Sequence, residues 1–232
     1  MGGTYDLGDL IVEKLRRAFK INPDEFAALK AAGEKNPLKV LVATILSQNT
    51  TEKNTFRAIS QLESKVGIDP NRLATIDLEE LERVIAPAGL QKSKAFAIQA
   101  AARVLVEKYG GDINKLLSEG EARVREELGK IKGIGEKTID VLLANSGFPV
   151  VAIDTHVRRV SRRLGLTTSK SYKAIRDDLH RVFRPEKRLE AHLLIIKLGR
   201  EVCKARAPAC VRCPLNDVCK FYLARKEINL EA

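Results

Sequence analysis

The chain has 232 residues, 44% of them hydrophobic and 5% aromatic with no Trp, and 41 Lys+Arg against 30 Asp+Glu give it a formal net charge of +11. This length exceeds one average domain and falls short of two, so two interlocked lobes or one elongated body are expected, and the charge makes a polyanion the first partner to consider. The apolar runs at residues 40–46 and 149–153 are far shorter than the roughly 20 residues of a membrane-spanning helix, and the scarcity of aromatics argues against a protein that stacks successive single-stranded bases.

Helical spacing runs through nearly the whole chain, and no segment alternates with the period of two that marks a strand, so the expected fold class is all-α. Leu10, Ile11, Leu15, Ala18 and Phe19 form one stripe of a first helix, which Asn22-Pro23 ends before a second begins at Asp24. Pro37 opens an apolar helix through Leu46. Thr50-Thr51-Glu52 caps a helix carrying Phe56, Ile59 and Leu62, and the stretch from Gly67 to Pro70 marks its end. Asp77 caps another over residues 78–85. Past the turn Pro87-Ala88-Gly89, an Ala-rich helix is expected over residues 93–109, stopped by Gly110-Gly111. Shorter helices follow at 113–117 and 122–131. After Gly133-Ile134-Gly135 a helix carries Ile139, Leu142 and Leu143, and Gly147-Phe148-Pro149 separates it from one starting near Asp154. Helices over 172–183 and 186–202 complete the pattern. The opening Met1-Gly2-Gly3-Thr4-Tyr5-Asp6 has neither a basic-plus-apolar export signal nor the Ser/Thr that myristoylation favours. The expected location is the cytoplasm and its nucleoid, or a nucleus.

The segment from Ile131 to Thr138 places two glycines, Gly133 and Gly135, in a tight turn just where a helix begins. Backbone N–H groups pointing outward there make an anion site, able to hold a DNA phosphate without reading sequence; the alternative is a helix–helix turn with nothing bound. Lys137 falls in the first turn of the following helix, where the dipole disfavours a cation and so favours the nucleophilic neutral amine. Asp140, three residues on, would oppose that effect if it faces Lys137. Asp154 reads as an N-cap. Beyond capping, its carboxylate suits the stabilisation of a developing oxocarbenium sugar or the removal of a proton. His156, His180 and His192 read as packed or hydrogen-bonded side chains rather than catalysts. Arg158, Arg159, Arg162 and Arg163 place basic charge along one side of the helix after Asp154, either solvated or beside DNA.

All four cysteines lie near the C-terminus, as Cys203-x6-Cys210-x2-Cys213-x5-Cys219. In a reducing compartment such a group reads as a ligand set, and the spacing suits an iron–sulfur cluster or a structural zinc without choosing between them. Lys204, Arg206, Arg212 and Lys220, interspersed among the cysteines, either present charge to a phosphate or offset the thiolates.

Gly133-Ile134-Gly135 with Lys137-Thr138, then Ile153-Asp154-Thr155-His156-Val157, then the cysteine array resemble, in that order and over essentially the whole chain, the endonuclease III family of helix-hairpin-helix DNA glycosylases. The resemblance implies a six-helix barrel lobe over residues 30–149 and a second lobe, from residues 1–29 and 150–232, with a [4Fe–4S] cluster on Cys203, Cys210, Cys213 and Cys219; zinc is the alternative. It implies double-stranded DNA with a damaged base or abasic site as partner, bound by a monomer across the groove between the lobes, and no membrane. Lys137 would attack the sugar C1′ and form the Schiff base, and Asp154 would assist base loss. Such enzymes extrude the damaged nucleotide and fill the gap with wedge residues. Leu90, beside Gln91, matches one wedge position, and the other falls at Gln48 or Asn49, where the family often has Gln at the place of Asn49. Lys132 replaces a common proline, Asp140 stands where many members have Asn, and the Lys137-to-Asp154 segment is one residue shorter, departures that bear on lesion choice.

The function this implies is a bifunctional DNA glycosylase and AP lyase of base excision repair, removing oxidised pyrimidines from duplex DNA and cleaving 3′ to the abasic site by β-elimination. The lysine separates the chain from relatives that lack a lyase nucleophile. A glycosylase for thymine or uracil opposite guanine is the rival in the same class, and a non-catalytic iron–sulfur DNA-binding protein the rival in another.

Overall fold

The computed structural model describes residues 3–230, and side-chain surroundings for residues 5–227. Among the described residues every regular element is helical. The chain divides into two compact units, a central one of Asn22–Phe148 and a terminal one that joins Met1–Ile21 to Pro149–Ala232. The terminal unit takes α1 (Gly3–Ala18). The central unit takes α2 (Ala27–Gly33), α3 (Pro37–Leu46), α4 (Glu52–Lys65), α5 (Pro70–Thr75), α6 (Leu78–Ile85), α7 (Gln91–Tyr109), α8 (Ile113–Ser118), α9 (Glu121–Gly129) and α10 (Glu136–Asn145). The terminal unit resumes with α11 (Thr155–Leu164), α12 (Tyr172–Val182), α13 (Arg188–Glu201) and α14 (Lys220–Leu230).

Side-chain caps set many of the helix starts. Asn36, Thr51, Asp69, Asp77, Asp154 and Ser171 each accept a backbone N–H from the first turn of the helix they precede, which satisfies a donor that the helix cannot use internally. α3 is apolar apart from Lys39 and Thr44, and every residue from Leu38 to Leu46 is buried, the pattern of a helix enclosed on all sides. It forms the axis of the central unit, packed on α2, α4, α7, α8 and α10. In the terminal unit α13 has that role, buried from Ala191 to Gly199 and packed on α1 and α11. There α1 also meets α12 so closely that a Cβ on Gly8 would lie 2.0 Å from the Val182 carbonyl oxygen; only glycine allows that contact.

Several elements differ from the sequence expectation. The Gly67–Pro70 stretch ends one helix and also starts another, because Asp69 caps and Pro70 occupies the first turn of α5. α14 follows the cysteines where no helix was expected. A 3-10 turn at Pro185–Lys187 precedes α13, so that helix begins at Arg188. The second element begins as a 3-10 turn at Pro23–Glu25 capped by Asn22, with α2 only from Ala27. Since α2 packs on α3 and α10, the chain enters the central unit at Asn22, ahead of the boundary drawn near residue 30.

Candidate functional site

In the central unit, α9 and α10 flank the glycine turn. Ile131 and Ile134 are buried, 8% and 4% exposed, and pin the turn from below. Gly133 has φ +96, and a Cβ there would lie 3.1 Å from that of Ala97 on α7, so both the backbone conformation and the packing require glycine. Gly135 differs: its φ is −99 and an added Cβ would meet nothing within 4 Å. Nothing inside the unit demands glycine at 135. Its bareness leaves the backbone at the mouth of α10 open to a close outside approach, as an anion at a helix N-terminus needs.

Lys137 is the second residue of α10 and half-buried. Its neighbour Thr138 is buried and accepts a hydrogen bond from Gln48 Nε2 at 3.1 Å, and the same amide donates to the Gly133 carbonyl at 3.1 Å. Asp140 is fully buried and pairs with Arg125 of α9, which also pairs with Glu121. Asp140 thus braces the hairpin through its pair with α9.

Asn49 and Leu90, two of the candidate wedge residues, sit in left-handed backbone. Asn49 is exposed with φ +51, and Leu90, with φ +50, is 56% exposed. Non-glycine residues rarely adopt this conformation, which stores about 1 kcal/mol or more and concentrates at functional sites. Gln91 follows as the half-buried first residue of α7. Gln48 is tied back to the hairpin while Asn49 points to solvent, a distinction the sequence left open.

In the terminal unit, Asp154 caps α11, its Oδ1 accepting from Val157 N at 2.7 Å. The extended segment before it is held residue by residue. Arg188 donates to the Pro149 carbonyl at 2.6 Å, His180 Nε2 accepts from Val151 N at 3.1 Å, His192 Nδ1 lies 2.8 Å from the Ala152 carbonyl oxygen, and the Tyr172 hydroxyl accepts from Ile153 N at 3.0 Å. An acceptor Nε2 makes His180 neutral with its proton on Nδ1, and His192 must carry its proton on Nδ1 to donate. This collar was not legible as such, since its members lie far from Asp154 in sequence. His156 packs under Gly199 and contacts Arg159 at 3.0 Å. Burial pushes its imidazole below the ordinary histidine range, with Arg159 and Arg200 adding to the effect against Asp154. All three histidines are packed or hydrogen-bonded within the terminal unit.

The four cysteines line one small cavity with Arg163, Val202, Pro208, Asn216, Phe221 and Tyr222. None is in a disulfide. Burial pushes the Cys213 and Cys219 thiols up, and the negative charge of neighbouring cysteines adds to it; bound iron would reverse that balance by stabilising the thiolates. Arg163 donates to Cys203 Sγ at 3.3 Å and to the Lys204 and Ala205 carbonyls, while Arg159 donates to the Cys203 carbonyl at 3.0 Å. Two of the four arginines read as a DNA-facing or solvated stripe thus face the cysteine loop, and Arg158 donates to the Lys170 carbonyl. Arg162, Lys204, Arg206, Arg212 and Lys220 remain exposed. Among the described residues no group of three Cys, His, Asp or Glu is set to hold a single metal ion. Four cysteines lining one cavity are the donor set that an iron–sulfur cluster takes.

Residues 42–185 match the model of the HhH-GPD superfamily base excision DNA repair proteins, and residues 203–219 match the iron–sulfur binding domain of endonuclease III. The endonuclease III of Sulfolobus acidocaldarius is 38% identical over 225 residues, covering 94% of this chain and 97% of that one. Among solved structures, a trapped endonuclease III–DNA covalent intermediate superposes with a TM-score of 0.78 at 31% identity, covering 96% of this chain and 99% of that one. A non-covalent endonuclease III–DNA complex gives 0.76 at 28% identity, covering 98% and 100%. By these likenesses the protein is a base excision repair DNA glycosylase/AP lyase with a [4Fe–4S] cluster, and the chain belongs to the endonuclease III family.

Proposed function

We propose that this enzyme binds double-stranded DNA as a monomer, removes oxidised pyrimidines and cleaves 3′ to the resulting abasic site, wherever the cell keeps its chromosome. The observation that carries the reading is Lys137 in the first turn of α10, directly after a glycine turn left open at Gly135. In the proposed reaction the Lys137 amine forms a bond to the deoxyribose C1′ as the bond from C1′ to the base breaks. The base leaves with the electron pair of that bond and takes up a proton. Nitrogen gives up one proton, and its lone pair then breaks the C1′–O4′ bond, O4′ taking up a proton as the sugar ring opens, to give the protonated Schiff base. Loss of a C2′ proton then expels the 3′ phosphate, and water releases the sugar from the lysine. Asp154 stabilises the positive sugar during base loss. The open backbone at Gly135 takes one phosphate, and Asn49 and Leu90 fill the space of the extruded nucleotide, with Asn49 rather than the tethered Gln48 toward the opposite base.

The cysteines Cys203, Cys210, Cys213 and Cys219 would hold the [4Fe–4S] cluster, which knits the loop after α13 into a fixed shape. A brown protein containing iron and sulfide fits this; a colourless one containing zinc does not.

Borohydride trapping tests the central step. It should give a covalent adduct with lesion-bearing duplex that disappears in Lys137→Gln; trapping that survives the substitution overturns the assignment. A panel of duplexes with thymine glycol, uracil, an abasic site or a G·T mismatch decides lesion choice, with thymine glycol expected to be preferred over the mismatch.

A further inference from the structure

Lys94 is the fourth residue of α7 and 1% exposed. A lysine so enclosed ordinarily has a carboxylate beside it. Here the Nζ donates instead to two backbone carbonyls, those of Leu46 and Ala88, each at 2.8 Å. Burial alone pushes its ammonium below the usual lysine range. Leu46 is the last residue of α3 and Ala88 the last of the 3-10 turn Ala86–Ala88, so the cation rests where helical carbonyls are left without partners and the negative end of the α3 dipole lies.

The position of these carbonyls matters more than their chemistry. Leu46 leads into Ser47-Gln48-Asn49, and Ala88 leads into Gly89-Leu90. Each loop ends in a left-handed, exposed residue. One ammonium therefore bridges the roots of the two loops, and the backbone N–H of the same lysine donates to the Leu90 carbonyl at 3.1 Å.

We propose that Lys94 is a positioning residue for base extrusion, whose buried ammonium couples the loop of Asn49 to that of Leu90 so that both tips enter the duplex at a fixed spacing. This rests on the reading of Asn49 and Leu90 as wedges. A methionine at 94 fills the same space without donors, so the loops lose their common anchor while Lys137 and the hairpin keep theirs.

The test uses the cluster-containing protein and duplex DNA with 2-aminopurine beside a thymine glycol, with an abasic site in an unpaired strand as comparison. Lys94→Met should slow the fluorescence rise that reports extrusion by roughly 10- to 100-fold and leave borohydride trapping on the unpaired strand at the wild-type level. Hydrogen exchange on the free protein should quicken at residues 47–50 and 88–91 but not in α10. Lys94→Gln, with donors on a shorter stem, should fall between. Normal extrusion by Lys94→Met beside a defective Leu90→Ala overturns the coupling alone. Normal extrusion by Leu90→Ala overturns the wedge reading and the inference with it. Equal loss on paired and unpaired substrates, or faster exchange throughout the central unit, also overturns it, since Lys94 would then be a general support.

Discussion

Arg125 on α9 pairs with the fully buried carboxylate of Asp140 on α10, bridging the two helices of the hairpin across the turn that carries Gly133 and Gly135. A buried carboxylate deprived of its guanidinium is far more unfavourable than either group is favourable when paired. Arg125→Met should therefore lower stability by about 3 kcal/mol. Arg125→Met with Asp140→Leu should recover much of it, because the double change removes the charge as well as its partner. Urea unfolding of the three proteins checks this, and equal destabilisation by single and double variants would argue against the brace.

The two hairpin glycines should respond oppositely to alanine. At Gly133 the positive φ and the nearby Ala97 Cβ oppose any side chain, so Gly133→Ala should lose at least about 1 kcal/mol of stability. At Gly135 neither obstacle exists, and Gly135→Ala should be as stable as wild type or slightly more so. It should nonetheless bind duplex DNA more weakly, since the methyl group occupies space that a phosphate oxygen needs. Thermal melting and fluorescence anisotropy separate the two effects. A Gly135→Ala protein with unchanged affinity would mean that the open backbone contacts nothing.

Asp154 combines a cap with a charge, and asparagine keeps the first while removing the second. Asp154→Asn should melt near the wild-type temperature and bind DNA nearly as well, yet excise bases some 100-fold or more slowly. Single-turnover excision on a lesion duplex measures the chemical loss free of product release. Full activity would reduce Asp154 to a helix cap.

Local signals such as caps and glycine turns were readable because each depends on a few adjacent residues. Asp77 and Leu78 to Ile85 fell where their spacing placed them, and the first-turn position of Lys137 and the cap at Asp154 follow from short motifs. What escaped notice depends on residues distant in the chain. Asp140 carries no local sign of a partner on α9, and only packing brought Arg125 to it. Arg159 and Arg163 had the spacing of a solvent-facing stripe, but the loop after α13 folds back over them. Lys94 carries no mark in its own Ser93-Lys94-Ala95 stretch, since the carbonyls that close around its tip belong to two other segments.

The collar before Asp154 makes a separable prediction. Tyr172→Phe deletes the acceptor for the Ile153 N–H and leaves a buried donor unmatched, which should cost about 1 to 3 kcal/mol. Because the segment feeds the Asp154 cap and not the central unit, base excision should slow while trapping on a preformed abasic site changes little. A variant slowed equally in both would place the tyrosine in general folding rather than in the support of Asp154.

His156 gives the fold a pH dependence in a window that the paired carboxylates do not share. Its imidazole titrates below the ordinary value of 6.5 in the folded protein, chiefly because it is buried, so the unfolded chain takes up a proton that the folded one refuses. Stability should therefore fall as pH drops through about 6.5 and level off below the folded value. Asp9 and Asp178, whose partners hold them below 3.8, lose their contributions only in stronger acid. Urea midpoints at about pH 7.5 and about pH 5.5 should differ in the wild type and differ less in His156→Gln, where the group that titrates here is gone. The readout is the change with pH rather than the absolute midpoint, since glutamine also alters the contact with Gly199. An unchanged pH slope in His156→Gln would assign the acid sensitivity to another group.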